Sequence, residues 1–239
     1  MAWTCTGSSN SELVSNLAKH GILKTPRVIE AFHRVDRKHY APSDPYVDSP
    51  QRIGFGATIS APHMHAHAIE NLEPFLQPGA HVLDVGSGSG YLLAIFHQLV
   101  SPGGGTVLGI DHLPAIVSQA NANLSNDPSV AEFVVRRDDD RDEGPPPLLP
   151  LRPGTVSNIV ADGRRGSPVA IAPARGYSAI HVGAASATRP DRLIEQLASP
   201  GRLFVPIGPD WGVQHVWQID KDRHGNVDET KLFGVNYIP

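Results

Sequence analysis

His81-Val82-Leu83-Asp84-Val85-Gly86-Ser87-Gly88-Ser89-Gly90 is the stretch that decides the fold. A short apolar run carrying one acid leads into three glycines at alternate positions, and Tyr91 to Val100 continues as an apolar segment of helical length. This is the pattern of a strand that turns sharply into a helix, the place where α/β proteins hold a nucleotide-like ligand. In such a turn Gly86 permits the tight reversal, Gly88 lets a ligand approach the main chain past Ser87, and Gly90 lets the helix pack closely.

Downstream of the turn the rhythm is strand, helix, strand. Thr106 to Ile110, Val156 to Ala161, Tyr177 to Val182 and Arg202 to Ile207 read as strands, with helices over Leu113 to Leu124 and Asp191 to Leu197. Alternation of this kind predicts a doubly wound α/β protein with a mostly parallel sheet covered on both faces. Val213 to Asp220 and Val227 to Tyr237 flank the polar turn His224-Gly225-Asn226 and predict an antiparallel hairpin at the sheet edge. Arg136 to Thr155 breaks the rhythm with Asp138-Asp139-Asp140-Arg141-Asp142-Glu143 and Pro145-Pro146-Pro147. It reads as a solvated loop insertion, because a metal-binding carboxylate cluster needs a convergence that such a run does not specify.

Upstream, an N-terminal helical extension is expected. Ser11 is placed to cap a helix carrying Leu13, Leu17 and Ala18 that Gly21 stops, and Thr25-Pro26 starts a second carrying Val28, Ile29, Phe32 and Val35. Tyr40 to Gly56 reads as an ordered loop or a pair of short strands. Ser60-Ala61-Pro62 opens a further helix through Met64, Ala68, Ile69 and Leu72, closed near Pro74 or Pro78. The whole chain, 1–239, reads as one domain, with 1–78 preceding a sheet core at 79–239 and the insertion at 136–155.

Composition narrows the classes. With 239 residues, 40% of them hydrophobic, the chain can bury a sizeable core. The formal net charge of −4 gives no bulk attraction for nucleic acid. A single cysteine, Cys5, excludes an intrachain disulfide and cysteine-based metal clusters. No stretch approaches the ~20 apolar residues that cross a bilayer, and Met1 to Thr6 lacks the basic end and apolar core of a signal peptide. A soluble, cytoplasmic protein with no membrane or nucleic-acid partner is the expectation.

Asp84 discriminates among ligands. A carboxylate beside the turn repels a pyrophosphate but pairs with an amino group, which disfavours a dinucleotide-dependent oxidoreductase. S-adenosylmethionine, with its methionine ammonium and no phosphate, fits. Asp111 ends the next strand, where a carboxylate accepts both ribose hydroxyls, and Asp162-Gly163 ends a later one, where the exocyclic amine of adenine can be received. His112 is placed to line the ribose or adenine region, unless it is an ordinary loop residue.

Gly54-Phe55-Gly56-Ala57-Thr58-Ile59-Ser60-Ala61-Pro62-His63-Met64-His65 forms a second constellation. The free amides of a helix's first turn make a carboxylate receptor, and Ser60 can cap that helix or donate to an anion. A Ser-His-Asp hydrolase is disfavoured because no Gly-x-Ser-x-Gly elbow activates Ser60. His63, His65 and His67, spaced by two, do not share a helical face, so no metal is expected there.

The Ser60 block, Asp84 to Gly90, Ile110-Asp111-His112, Asp162-Gly163-Arg164 and Ile180-His181-Val182-Gly183-Ala184-Ala185 together resemble the protein-L-isoaspartate (D-aspartate) O-methyltransferases. Ser11-Glu12-Leu13, His39-Tyr40-Ala41 and Asp48-Ser49-Pro50-Gln51 resemble the eukaryotic form, and Ala57 to Met64 is the most family-specific run. The resemblance implies a Rossmann-like methyltransferase sheet and an enzyme that methylates the free α-carboxylate of L-isoaspartyl residues in damaged proteins, D-aspartyl residues being a further acceptor. The cofactor would be S-adenosyl-L-methionine and its product S-adenosyl-L-homocysteine, with repair proceeding through a succinimide. Ser60 would position the acceptor as the catalytic residue, assisted by Ala57, Thr58, Ile59 and His65. Asp84, Gly86, Ser87, Gly88, Gly90, Asp111, His112, Asp162 and Gly163 would hold the cofactor. Val205 to Gly208 and Val235 to Pro239 would frame the cleft of a monomer. Gly56 stands where eukaryotic members tend to carry glutamine, and the link from Asp111 to Asp162 is longer than usual. A methyltransferase acting on a small molecule or RNA is the alternative that shares the cofactor acids without predicting the Ser60 block.

Overall fold

Seven strands form the central sheet of the computed structural model, which describes residues 5–135, 151–209 and 212–235. A short hairpin, β1 (Gln51–Gly54) and β2 (Ala57–Ile59), stands apart from that sheet. The sheet strands are β3 (His81–Val85), β4 (Thr106–Asp111), β5 (Val156–Val160), β6 (Tyr177–Val182), β7 (Leu197–Ile207), β8 (Gln214–Lys221) and β9 (Val227–Val235). Their spatial order is β5-β4-β3-β6-β7-β8-β9. The first five are parallel, and β8 and β9 add the expected antiparallel edge. The order reverses between β3 and β6, so a crevice opens beyond their carboxyl ends, where open α/β sheets bind ligands.

The helices are α1 (Asn10–Lys19), α2 (Pro26–Arg34), α3 (Pro62–Leu72), α4 (Tyr91–Val100), α5 (Pro114–Asn126) and α6 (Asp191–Gln196). α4 buries every residue except Gln98, which explains its apolar composition all round. The N-terminal helices pack onto it through α2, which buries Val28, Ala31 and Phe32. Tyr91, at the start of α4, is the meeting point of Phe32, Tyr40 and His65, with ring centroids 5.4–6.2 Å away. Tyr40 in turn donates to Asp127 Oδ2 at 2.6 Å, with both residues buried, tying the extension to the end of α5.

Several local expectations are corrected. Ser9, not Ser11, caps α1, its side chain accepting from the Glu12 amide. Thr25 occupies the cap position of α2, but its hydroxyl donates to Glu70 instead. The short strands foreseen within 40–56 lie later, at 51–59, because Tyr40 to Pro50 is spent on turns. β7 begins at Leu197 rather than Arg202. Pro200 and Gly201 read as breakers, yet Leu197 pairs with Tyr177, and a register shift absorbs the interruption before Arg202 meets Ala179. The acidic and triple-proline run lies outside the described residues.

Gly109, in the middle of β4, has no room for a side chain. A Cβ there would sit 2.5 Å from Asn158 Oδ1 and 2.6 Å from Leu93 Cδ1. Gly109→Ala is therefore expected to lower stability by ~1–3 kcal/mol through overpacking. The check is a fall in the urea midpoint with an unchanged slope; an unshifted midpoint would contradict it.

Candidate functional site

The glycine turn is pinned from both sides. Gly86 N and Ser87 N donate to the Ile110 carbonyl at 2.8 and 3.2 Å, and Gly183 N donates to the Val85 carbonyl at 2.8 Å. Gly86 and Gly88 adopt φ values of 75° and 53°, the left-handed region that a side chain disfavours. A Cβ on Gly183 would come within 2.8 Å of the Gly86 carbonyl oxygen, so the ends of β3 and β6 approach as only glycine allows. The result is a cleft of about 590 Å³, a volume suited to a nucleoside-bearing molecule.

Asp111 forms one wall of this cleft. Its Oδ2 accepts from Gly88 N at 3.2 Å and its Oδ1 from Leu113 N at 3.1 Å, so the carboxylate is oriented by two amides of the chain itself. Pro50, Phe55, Met64 and Leu113 supply apolar surface, while Gly86, Gly88 and Gly183 supply main chain. No Lys or Arg is among the described lining residues, so no cationic side chain is offered there to a phosphate. One oriented carboxylate, exposed main chain and apolar flanks fit the ribose and base of S-adenosylmethionine. His112 also lines the cleft, with its side chain 77% exposed.

A smaller polar chamber of about 30 Å³ lies alongside, lined by Ser60, His65, Asp84, Ser87, Tyr91 and His181 among others. Asp84 is 1% exposed, and its Oδ1 accepts from His181 Nδ1 at 2.7 Å. Asp84 thus faces the chamber rather than the main cleft. The Ser87 hydroxyl donates to Asn158 Oδ1 at 2.8 Å, anchoring the turn to β5. Gly90 lines neither space. A Cβ there would lie 3.3 Å from Leu124 and 3.4 Å from Ala120, so this glycine serves the packing of α4 on α5.

Asp162 and Gly163 are not among the cleft-lining residues. Both carboxylate oxygens of Asp162 accept from Arg164 at 2.9 Å, and these bonds hold its pKa down to about 2. Gly163 packs over β3, where a Cβ would meet Val85 Cγ1 at 2.5 Å.

Ala57, Thr58 and Ser60 line the cleft, and Ser60 lines the chamber as well. Ile59 is 3% exposed and lines only the chamber. The cap of α3 is Ala61, with Pro62 at the first helical position, so Ser60 does not cap the helix. Nor do the first-turn amides serve as a receptor. His63 N donates to Asp48 Oδ1 at 3.0 Å, and Met64 N and His65 N donate to the Ala61 carbonyl. Asp48 is buried and also accepts from His63 Nδ1 at 2.8 Å. Burial pushes its pKa up, but the His63 hydrogen bonds outweigh this and leave it below the ordinary carboxylate range. With Asp48 at the helix end, the Ser60 hydroxyl is left to the cleft.

His65 is buried and accepts at Nδ1 from Arg37 Nη1 at 3.2 Å. Burial, then the Arg37 charge, lowers its pKa well below the usual imidazole value. Arg37 and Asn158 were not anticipated from sequence, and Asp48 and His181 entered only as parts of resembling segments. Of the expected cleft frame, Val235 lines the cleft, next to Gly234, which was not foreseen, and Val205 to Gly208 do not, while 236–239 lie outside the described residues.

Comparison with known proteins matches residues 8–239 to the family described as protein-L-isoaspartate(D-aspartate) O-methyltransferase. A protein-L-isoaspartate O-methyltransferase of Caenorhabditis elegans is 41% identical over 239 residues, covering 100% of this chain and 95% of the worm protein. One from Triticum aestivum is 40% identical, covering 96% and 90%. A solved Plasmodium falciparum protein, described as a protein-L-isoaspartate O-methyltransferase in complex with S-adenosyl-L-homocysteine, superimposes with a TM-score of 0.79 at 28% identity, covering 97% of this chain and 98% of that one. On the strength of that full-length match, joined to a parallel sheet whose strand order reverses at the cleft, the chain belongs to the protein-L-isoaspartate (D-aspartate) O-methyltransferase family.

Proposed function

We propose that Ser60 receives the acceptor carboxylate of an isoaspartyl residue at the mouth of the cleft, and that the methyl group of S-adenosylmethionine is transferred to it there. The activity is that of the family to which the chain belongs, with isoaspartyl-containing proteins and peptides as acceptors and D-aspartyl residues as a second class. The observation that carries the role of Ser60 is its position. It is the one hydroxyl-bearing residue besides Thr58 on the described cleft lining, it borders the inner chamber, and its helix is capped by another group.

The chemistry asks little of the protein in proton transfer. An α-carboxylate is already ionised at neutral pH, so no strong general base is needed. When bound, S-adenosylmethionine supplies an electrophilic methyl group. Asp111, oriented by Gly88 N and Leu113 N, would hold the ribose hydroxyls. Asp84, fixed by His181, would meet the ammonium through the chamber. Asp162, paired with Arg164, would receive the adenine amine on a lone pair the guanidinium leaves free. Gly86, Gly88 and Gly183 keep side chains out of the space, and Ser60 aligns the attacking oxygen, so catalysis rests on orientation and exclusion of water. The ester formed is a good electrophile for the next backbone nitrogen, which closes the succinimide, and hydrolysis of that ring returns some normal aspartyl linkage.

We read 1–78 as the acceptor-binding part and 79–239 as the cofactor-binding core of one domain acting as a cytosolic monomer on proteins. In support, no described helix is long and apolar enough to cross a membrane, and the formal charge is −4.

A pair of peptides differing only in an isoaspartyl or a normal aspartyl link tests the activity. Radiolabelled methyl should enter the first and leave the second nearly unlabelled; equal labelling would refute the assignment. Ser60→Ala removes a hydrogen bond to a charged group and should lower kcat/KM for the peptide by ~10–100-fold. Its affinity for S-adenosylhomocysteine, read by calorimetry, should stay within about twofold, and unchanged peptide kinetics would remove Ser60 from the site. Asp111→Ala should behave in the opposite way, weakening S-adenosylhomocysteine by ~30-fold or more. Retained affinity in that titration would take the ribose role away from Asp111.

A further inference from the structure

A cation is buried behind the acceptor site with no carboxylate in contact. Arg37 is 0% exposed, and no ion pair of it is present among the described residues. Its Nη2 donates to the Ser60 carbonyl at 2.8 Å and its Nη1 to His65 Nδ1 at 3.2 Å. Its Nε is buried without a hydrogen-bond partner. The guanidinium carbon lies 5.2 Å from the centre of the Tyr91 ring, at the first residue after the cofactor turn. Burying an arginine in this way is costly, and apolar packing alone would be met better by an apolar residue.

We propose that Arg37 is the positioning residue of the acceptor-carboxylate site, holding Ser60 by its carbonyl, fixing the His65 tautomer and biasing the site toward an anion. The proposal rests on the reading that Ser60 receives the acceptor carboxylate.

Four features converge on it. A guanidinium only donates, so His65 Nδ1 is the acceptor and the ring proton of the neutral imidazole sits on Nε2. His65 lines the same chamber as Ser60, so an N–H and a hydroxyl border one small polar volume. The two donors are set by one rigid fork, which the compact ammonium of lysine does not reproduce. Finally, the charge of Arg37 is not cancelled by contact. Asp48, the acid whose charge it feels, has its Oδ1 occupied by His63. An anion entering from the cleft meets that field in surroundings of low dielectric.

The test compares two acceptor peptides, one isoaspartyl and one with its α-carboxyl converted to the uncharged amide. Their binding to the protein saturated with S-adenosylhomocysteine is measured by calorimetry, in wild type and in Arg37→Lys. The wild type should prefer the charged peptide, and Arg37→Lys should cut that preference by ~10-fold or more while S-adenosylhomocysteine affinity stays within about twofold. A merely structural arginine would weaken both peptides equally, and that result, or an unchanged preference, overturns the proposal. Should Arg37→Lys not fold, the wild type decides by ¹⁵N NMR of His65. A ring protonated at Nε2 whose Nε2 signal moves with the isoaspartyl peptide supports the proposal, and an Nδ1-protonated ring or an unmoved signal overturns it. Wild-type labelling of the isoaspartyl peptide is run alongside. Its absence would defeat the functional reading itself, whereas its presence with an unchanged preference in the variant defeats only the role of Arg37.

Discussion

Asp84 and His181 sit opposite each other on the two central strands, in register, with Nδ1 2.7 Å from Oδ1. Both are almost fully buried, and Phe96 and Phe204 close over the imidazole. A polar pair in such surroundings is stable only while each partner satisfies the other, because a lone buried carboxylate is expensive. The pair therefore fixes how β3 and β6 end relative to one another. Those ends carry Gly86 and Gly183, whose close approach shapes the cleft. A residue that reads in sequence as a ligand for the cofactor's ammonium is, in the fold, a clasp at the crevice.

The N-terminal part of the chain is organised by a different set of contacts. Tyr91 belongs to the cofactor turn by sequence but to the N-terminal extension by packing, since Phe32, Tyr40, His65 and Arg37 all meet its ring. Asp48 and His63 relieve the start of α3, and Arg37 holds the carbonyl just before it. The first sixty or so residues thus deliver a hydroxyl and an imidazole to a cleft whose other walls come from the sheet.

The core of the fold was legible because its signals are local. The apolar strand, the glycine turn and the following helix are each written in consecutive residues, and β6 falls at the residues its apolar pattern marks. Caps and edges were less legible. Ser11 and Ser60 look like cap residues, but Ser9 wins at α1, and a carboxylate from fifteen positions away in sequence wins at α3. β7 hides its start behind Pro200 and Gly201, whose local meaning as breakers is overridden by pairing with β6 and β8. Arg37 and His181 could not be assigned roles from spacing, because what defines them is a partner far along the chain. Asp162 shows the converse, a carboxylate well placed at a strand end whose neighbour Arg164 claims it.

Asp111 accepts from Gly88 N and Leu113 N, two amides of its own chain. Those two bonds set the carboxylate's rotamer, so the conformational entropy of ordering it is settled during folding. A loop that had to close over its ligand would charge that ordering to every binding event. Here the sheet has already set the carboxylate's rotamer, so the lone pairs left over point where the backbone turn dictates. Across the cleft from that wall, an exposed Phe55 rides the tip of the β1–β2 hairpin.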